Sequence, residues 1–240
     1  MRTVLLIARR ELAAYLRTMS GYLIIAGVLF VDGLLFNAIA MQGAGKKSSE
    51  VLADFFYCSS GSTMFAAVLL SMRLLAEERS SGTLALLYSS PVRDGEIVLG
   101  KFLSALAFLA LFLLTTLYMP ALVMGFGKVS VGHICAGYLG LFLLGSATLA
   151  IGTFGSSLTK SQVLAAILSG CMVVSLIITW MLARATERPL SEIFSALAIY
   201  GHFKPFEQGL VHLRHVVYFL AVTYFALFSA TRVLEARRWR

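Results

Sequence analysis

Few residues in this sequence have types and spacings that do chemistry, and several stand in unusual surroundings. Asp32 and Asn37 interrupt the apolar run from Gly21 to Ala40. An ionised side chain at the centre of a membrane helix costs about 3 kcal/mol on insertion scales and more on simulation scales. Asp32 must therefore face protein or water. It is read with Asn37 as part of a translocation path or, alternatively, as a buried structural hydrogen-bonding group. The stretch GAGKKSS, from Gly43 to Ser49, imitates the end of a phosphate-binding P-loop. That motif needs a glycine where Ala40 stands and a Ser or Thr where Lys47 stands. The chain thus carries no nucleotide site of its own. His202, His212 and His215 lack an acidic cluster beside them, which argues against a metal centre. Cys58, Cys135 and Cys171 have no ligand spacing and read as small buried hydrophobes. No catalytic, cofactor-binding or metal-binding set emerges.

The elements that must position these residues are membrane helices. Of 240 residues 59% are hydrophobic and only 13% charged, with a mean hydropathy of +0.85. A soluble domain is about 25% charged. The formal charge of +8 does not point to nucleic acid, because the basic residues are scattered at the ends of apolar runs. The sequence predicts an all-α integral membrane protein with six transmembrane helices, at about 21–40, 55–72, 102–124, 133–155, 162–183 and 215–231. Small residues at Ser59, Ser60, Gly61 and Ser62 suit close helix approach, as do Gly137, Gly140, Gly145 and Gly152. Gly152 and Gly155 are also candidates to line a path. Residues 2–18 predict an N-terminal amphipathic interfacial helix, with Val4, Leu5, Ala8, Leu12 and Tyr15 or Leu16 on its apolar face. Residues 184–214 predict an external loop with a short helix from Leu190 to Tyr200, capped by Gly201. Thirteen of the 20 Lys and Arg fall on the side of the termini and the central segment, which predicts that this side is cytoplasmic.

The longest polar interval, the segment 74–101, lies between the second and third spans. It carries Glu77, Glu78, Arg79, Asp94 and Glu96. Ser80 or Ser81 is placed to cap a short helix, Pro91 to break it, and Glu96 to start the third span near a helix N-terminus. A bland connection would not set apolar Leu84, Leu86 and Leu87 amid charges. That pattern fits a partner groove or the membrane surface.

The residues Glu77-Glu78-Arg79, Ser81-Gly82-Thr83, Leu86-Leu87, Ser90-Pro91 and Ile97-Val98-Leu99-Gly100-Lys101 together resemble the segment between spans two and three of ABC-2-type transporter permeases. The tail from Gly201 to Arg240 is similar to the gliding-motility-associated branch of that family, departing from it with histidine at His212 and His215. The resemblance implies a single transmembrane domain over 1–240, a multi-pass subunit of the cell (inner) membrane. The central segment would be a cytoplasmic coupling helix seated on a separate ABC ATPase subunit. Glu77, Glu78, Arg79, Gly82, Thr83, Leu84, Leu87 and Pro91 would carry that contact, with Leu84 and Leu87 as buried anchors. The chain itself would be no enzyme, with ATP and Mg bound by the partner. A second permease subunit, identical or homologous, membrane lipids and an external accessory protein are the other expected partners. Alternatives from other classes are an ATP-independent secondary transporter or channel, which needs an ion relay beyond Asp32, and a structural subunit of a motility or envelope assembly.

Overall fold

The computed structural model describes residues 2–40, 48–80, 93–127, 129–187 and 190–238. Among these there is no strand. That outcome follows from the medium, since inside lipid a helix satisfies its own backbone groups. In chain order the helices are α1 (Arg2–Arg17), α2 (Met19–Leu35, continued by a π-helical turn Phe36–Ala40), α3 (Ser48–Ser71) and α4 (Ala76–Ser80). They continue with α5 (Asp94–Thr116), α6 (Tyr118–Phe126), α7 (Val131–Leu158), α8 (Gln162–Ala185), α9 (Leu190–Leu197), α10 (Ile199–Glu207) and α11 (Leu213–Arg238).

Six segments are long and apolar enough to cross a membrane: Gly21–Ala38, Ser48–Glu78, Asp94–Gly125, Val131–Leu158, Gln162–Ala185 and Leu213–Ala236. Most of them run past the apolar stretches seen in sequence. The sixth, expected to be short, is extended at both ends. The third bends at Leu117, where Pro120 has no N–H for the carbonyl of Thr116 and α6 starts afresh.

The fourth span, α7, is the centre of the bundle and packs against α3, α5, α8, α10 and α11. In its most apolar stretch 78% of residues are buried, against 17% in the fifth and sixth spans, which places those two at the periphery. The glycines of α7 make this possible. A methyl group at Gly137 would strike Phe56, at Gly140 Phe206, at Gly145 Leu109, at Gly152 Ser71 and at Gly155 Ser169. The faces of Gly152 and Gly155, expected as candidates to line a path, are thus occupied by side chains of neighbouring helices.

Three other expectations are corrected. Gly201 lies inside α10, and the only left-handed glycine among the described residues is Gly209, with φ 80°, just beyond that helix. The expected single helix 190–200 is instead two, parted by extended backbone at Ala198. Cys135 and Cys171 are exposed on the spans, and only Cys58 is buried.

Candidate functional site

Two places in the bundle hold charge away from water. The first lies where α1, the end of the second span and the start of the third span meet. Helix α1 is separated from α2 by extended backbone at Thr18 and lies along α5. Ile7 and the Val4 carbonyl come so close to Gly100 that only glycine fits there. The inward face of α1 thus runs through Val4, Ile7, Glu11 and Tyr15, at helical spacing, whereas Leu5 and Leu16 are exposed. This register aims Glu11 at Lys101, about two turns into the third span.

Lys101 is the centre of the cluster. Its ammonium lies 2.9 Å from Glu78 Oε1 and 3.5 Å from Glu11 Oε1, with the lysine side chain only 4% exposed. Beside it the Arg73 guanidinium donates to both oxygens of Glu77, at 2.9 and 3.1 Å, four residues apart on a more open surface. The Tyr15 hydroxyl donates to the Leu70 carbonyl at 3.3 Å, and its ring packs on Phe108. Burial, and next the Glu11 carboxylate, hold the Tyr15 phenol well above its ordinary range, so it stays a neutral donor. Glu11, Tyr15, Arg73, Glu77, Glu78 and Lys101 line a cavity of about 200 Å³.

The break between α3 and α4 is secured from a distance. Ser156, near the end of the fourth span, accepts from the N–H groups of Leu75 and Ala76 at 3.1 and 3.0 Å. Its own hydroxyl donates to the Met72 carbonyl at 3.2 Å. Helix starts leave N–H groups without partners, and here a serine from another helix supplies the acceptor that a local N-cap would give. Ser80, expected as an N-cap, ends α4 and donates back to the Glu77 carbonyl at 2.9 Å. At the other end of the segment, Glu96 accepts from the Arg93 N–H at 3.4 Å in the first turn of α5.

The second place is in mid-membrane. Asp32 on α2 is 1% exposed and faces α3. The Ser59 hydroxyl makes one forked hydrogen bond to its two oxygens, both at 3.1 Å, and Ser62 donates to Oδ1 at 3.1 Å. Asn37 is exposed on the π-helical turn and does not join this group.

Of the residues singled out in sequence, the structure thus places Glu77 and Glu78 in the ion cluster and Asp32 in its own pocket of hydroxyls. Arg79 lies in α4. Gly82, Thr83, Leu84, Leu87 and Pro91, and with them the expected coupling helix, lie outside the described residues. The sequence does not single out Glu11, Arg73 or Ser156 as site residues, and it shows Lys101 only as part of the motif. Glu11 had one signal: it is the sole acid of α1. Ser59 and Ser62, read as packing residues, are donors to the buried carboxylate.

Residues 26–193, more than half of the 240, match the family model described as ABC-2 family transporter protein. The match begins within the first span and ends beyond the fifth, so it includes Asp32, both serines, Arg73 and Lys101. No curated protein matches the chain. A multi-pass chain with six apolar helices and this match belongs to the ABC-2 family of transporter proteins, as a permease component of an ABC transporter.

Proposed function

We propose that the chain couples ATP hydrolysis by a separate ATPase subunit to movement of a substrate across or out of the membrane. The observation that carries this reading is the buried bridge from Glu78 through Lys101 to Glu11. It sits where residues 81–92 leave the second span and return to the third. A push on that segment acts on α4 and on the start of α5. Through Lys101 it reaches α1, and through Ser156 it reaches the fourth span at the bundle centre. Bistable packed elements pass on such displacements as rigid-body movements.

In this reading the side bearing the ion cluster is cytoplasmic, in keeping with its excess of Lys and Arg. Helix α1 lies in the membrane interface, and the segment 74–101 carries the ATPase contact, with Leu84 and Leu87 as its anchors in the ATPase groove. ATP and Mg belong to the partner. A second permease subunit covers the exposed faces of peripheral spans, and the membrane is the inner one. The resemblance of the tail from Gly201 supports grouping the chain with the gliding-motility-associated permeases. We assign Asp32 to tethering the first span to the second, since its hydrogen bonds are enclosed between them.

Purification from host membranes in mild detergent tests the proposal. An ATPase subunit should accompany the wild-type protein and be lost on Leu84→Asp with Leu87→Asp, while the permease stays in the membrane. Recovery of the permease without an ATPase under several mild conditions would overturn the coupling role.

A further inference from the structure

At the membrane face opposite the ion cluster, the end of the fifth span and the start of the sixth flank an open cavity of about 400 Å³. Trp180 and Arg184 reach it from α8, Ser195 from α9, His202 from α10, and Arg214 and His215 from α11. Among the described residues no carboxylate lines it. Arg184 lies over the Trp180 ring at 3.9 Å from its centre, which fixes the guanidinium near the cavity wall. Among the described residues neither Arg184 nor Arg214 has a carboxylate within ion-pair distance.

The two histidines form one wall. His202 Nε2 is 3.1 Å from the Ala196 carbonyl, which only accepts, so that nitrogen carries the proton. The other nitrogen, Nδ1, is 2.8 Å from His215 Nδ1 and, in the neutral ring, accepts from it. The two nitrogens thus serve each other and do not converge on a cation.

The charge arrangement wants an anion. Arg214 and His215 stand in the first turn of α11, where the helix dipole is already positive and where no acidic residue is found. Two guanidiniums without carboxylate partners beside a tryptophan, at the end of a span, match the depth of lipid headgroups. The surface next to the cavity is apolar: Ile178, Met181 and Leu182 on α8 and Leu213 and Val217 on α11 are all exposed. A free anion would gain nothing from those side chains, whereas acyl chains would lie along them.

We propose that this cavity binds the phosphate of an anionic phospholipid headgroup, with Arg184 and Arg214 as its charged contacts. The test is native mass spectrometry of delipidated protein given phosphatidylglycerol or phosphatidylcholine with identical acyl chains. The wild-type protein should retain phosphatidylglycerol preferentially. Arg214→Ala should lower that preference about fivefold, and adding Arg184→Ala should lower it again by a similar factor. Arg214→Lys should keep most of it. Arg214 makes no hydrogen bond or ion pair among the described residues, so the single variant reads the site even should the double variant fail to fold. An undiminished preference in the Arg214→Ala protein would overturn the site. Displacement of the bound lipid by millimolar inorganic phosphate would overturn a lipid as the source of the phosphate.

Discussion

The molecule buries charge in two places and by two different means. At one end Lys101 is held by carboxylates from two other elements, Glu78 at the end of the second span and Glu11 on α1. In mid-membrane Asp32 is held by hydroxyls from a single helix, with no cation in contact among the described residues. The first arrangement ties three elements by opposite charges, so each partner depends on the others. The second ties two helices by donors that still find an oxygen to bond if the acceptor becomes neutral. In the coupling reading, an ion cluster beside the segment that meets the ATPase suits transmission of force, because shifting one member displaces the rest. A hydroxyl pocket suits a fixed joint.

The comparison is tested most severely at Lys101. Lys101→Met leaves Glu78 and Glu11 facing each other in a site where the lysine was only 4% exposed. Removing one partner of a buried pair costs about 3–5 kcal/mol, a loss that thermal unfolding in detergent would register as a large drop in midpoint. Adding Glu78→Gln should recover a substantial part, because it removes the stranded charge. If Lys101→Met is as stable as the wild type, the cluster is not the tie described here. The neighbouring Arg73–Glu77 pair is a control within the same end of the molecule. Its side chains are 25% and 45% exposed, and Arg73→Gln should cost no more than about 1 kcal/mol.

Ser156→Ala comes next in size. It strips two N–H groups at the start of α4 of their acceptor, and a lost cap or buried hydrogen bond is worth about 1–2 kcal/mol. Ser156→Thr retains the hydroxyl and should recover part of it. In the coupling reading, Ser156→Ala should also lower the transport obtained per ATP hydrolysed, measured in proteoliposomes with the ATPase present. A stability loss with unchanged coupling would confine Ser156 to a structural role.

The spans were legible in the sequence because burial in lipid demands long apolar runs, and those runs are visible residue by residue. Their ends were not. The second span starts at Ser48, ahead of its apolar run, because helix hydrogen bonding does not need apolar residues, and it reaches Glu78 only through α4, across a break held by Ser156. The glycine face of α7 was legible as a packing surface, since small residues have few other uses there. The partners of Lys101 were not legible. Glu11 stands 90 positions away in sequence, and only the seating of Ile7 on Gly100 sets its direction. Ser156 looks like any serine in an apolar helix until the break at the end of α3 is seen beside it. Ser59 and Ser62 were noticed for their size, while their hydroxyls carry the role, because spacing shows which residues share a face but not what the next helix presents to it.

The smallest expected effect belongs to Asp32→Asn, and it separates the two roles open to that residue. Asparagine keeps one oxygen where Oδ1 now accepts from Ser59 and Ser62. Its amide group would stand where Oδ2 now is and donate to the Ser59 oxygen, which retains free lone pairs. Every hydrogen bond of the joint then has a counterpart, and stability should change by less than about 1 kcal/mol. Asp32→Leu, which sets the Ser59 hydroxyl against an apolar group and leaves Ser62 only the Ser59 carbonyl, should cost more than Asp32→Asn. A fixed joint therefore predicts that Asp32→Asn leaves both unfolding midpoint and transport nearly unchanged. Transport lost at an unchanged midpoint would mean that the ionisable group itself takes part in movement of the substrate, and the contrast between a force-bearing end and a fixed middle would fail. A large fall in midpoint would mean that the carboxylate is held by more than these hydroxyls, and the two sites would then bury charge in the same way.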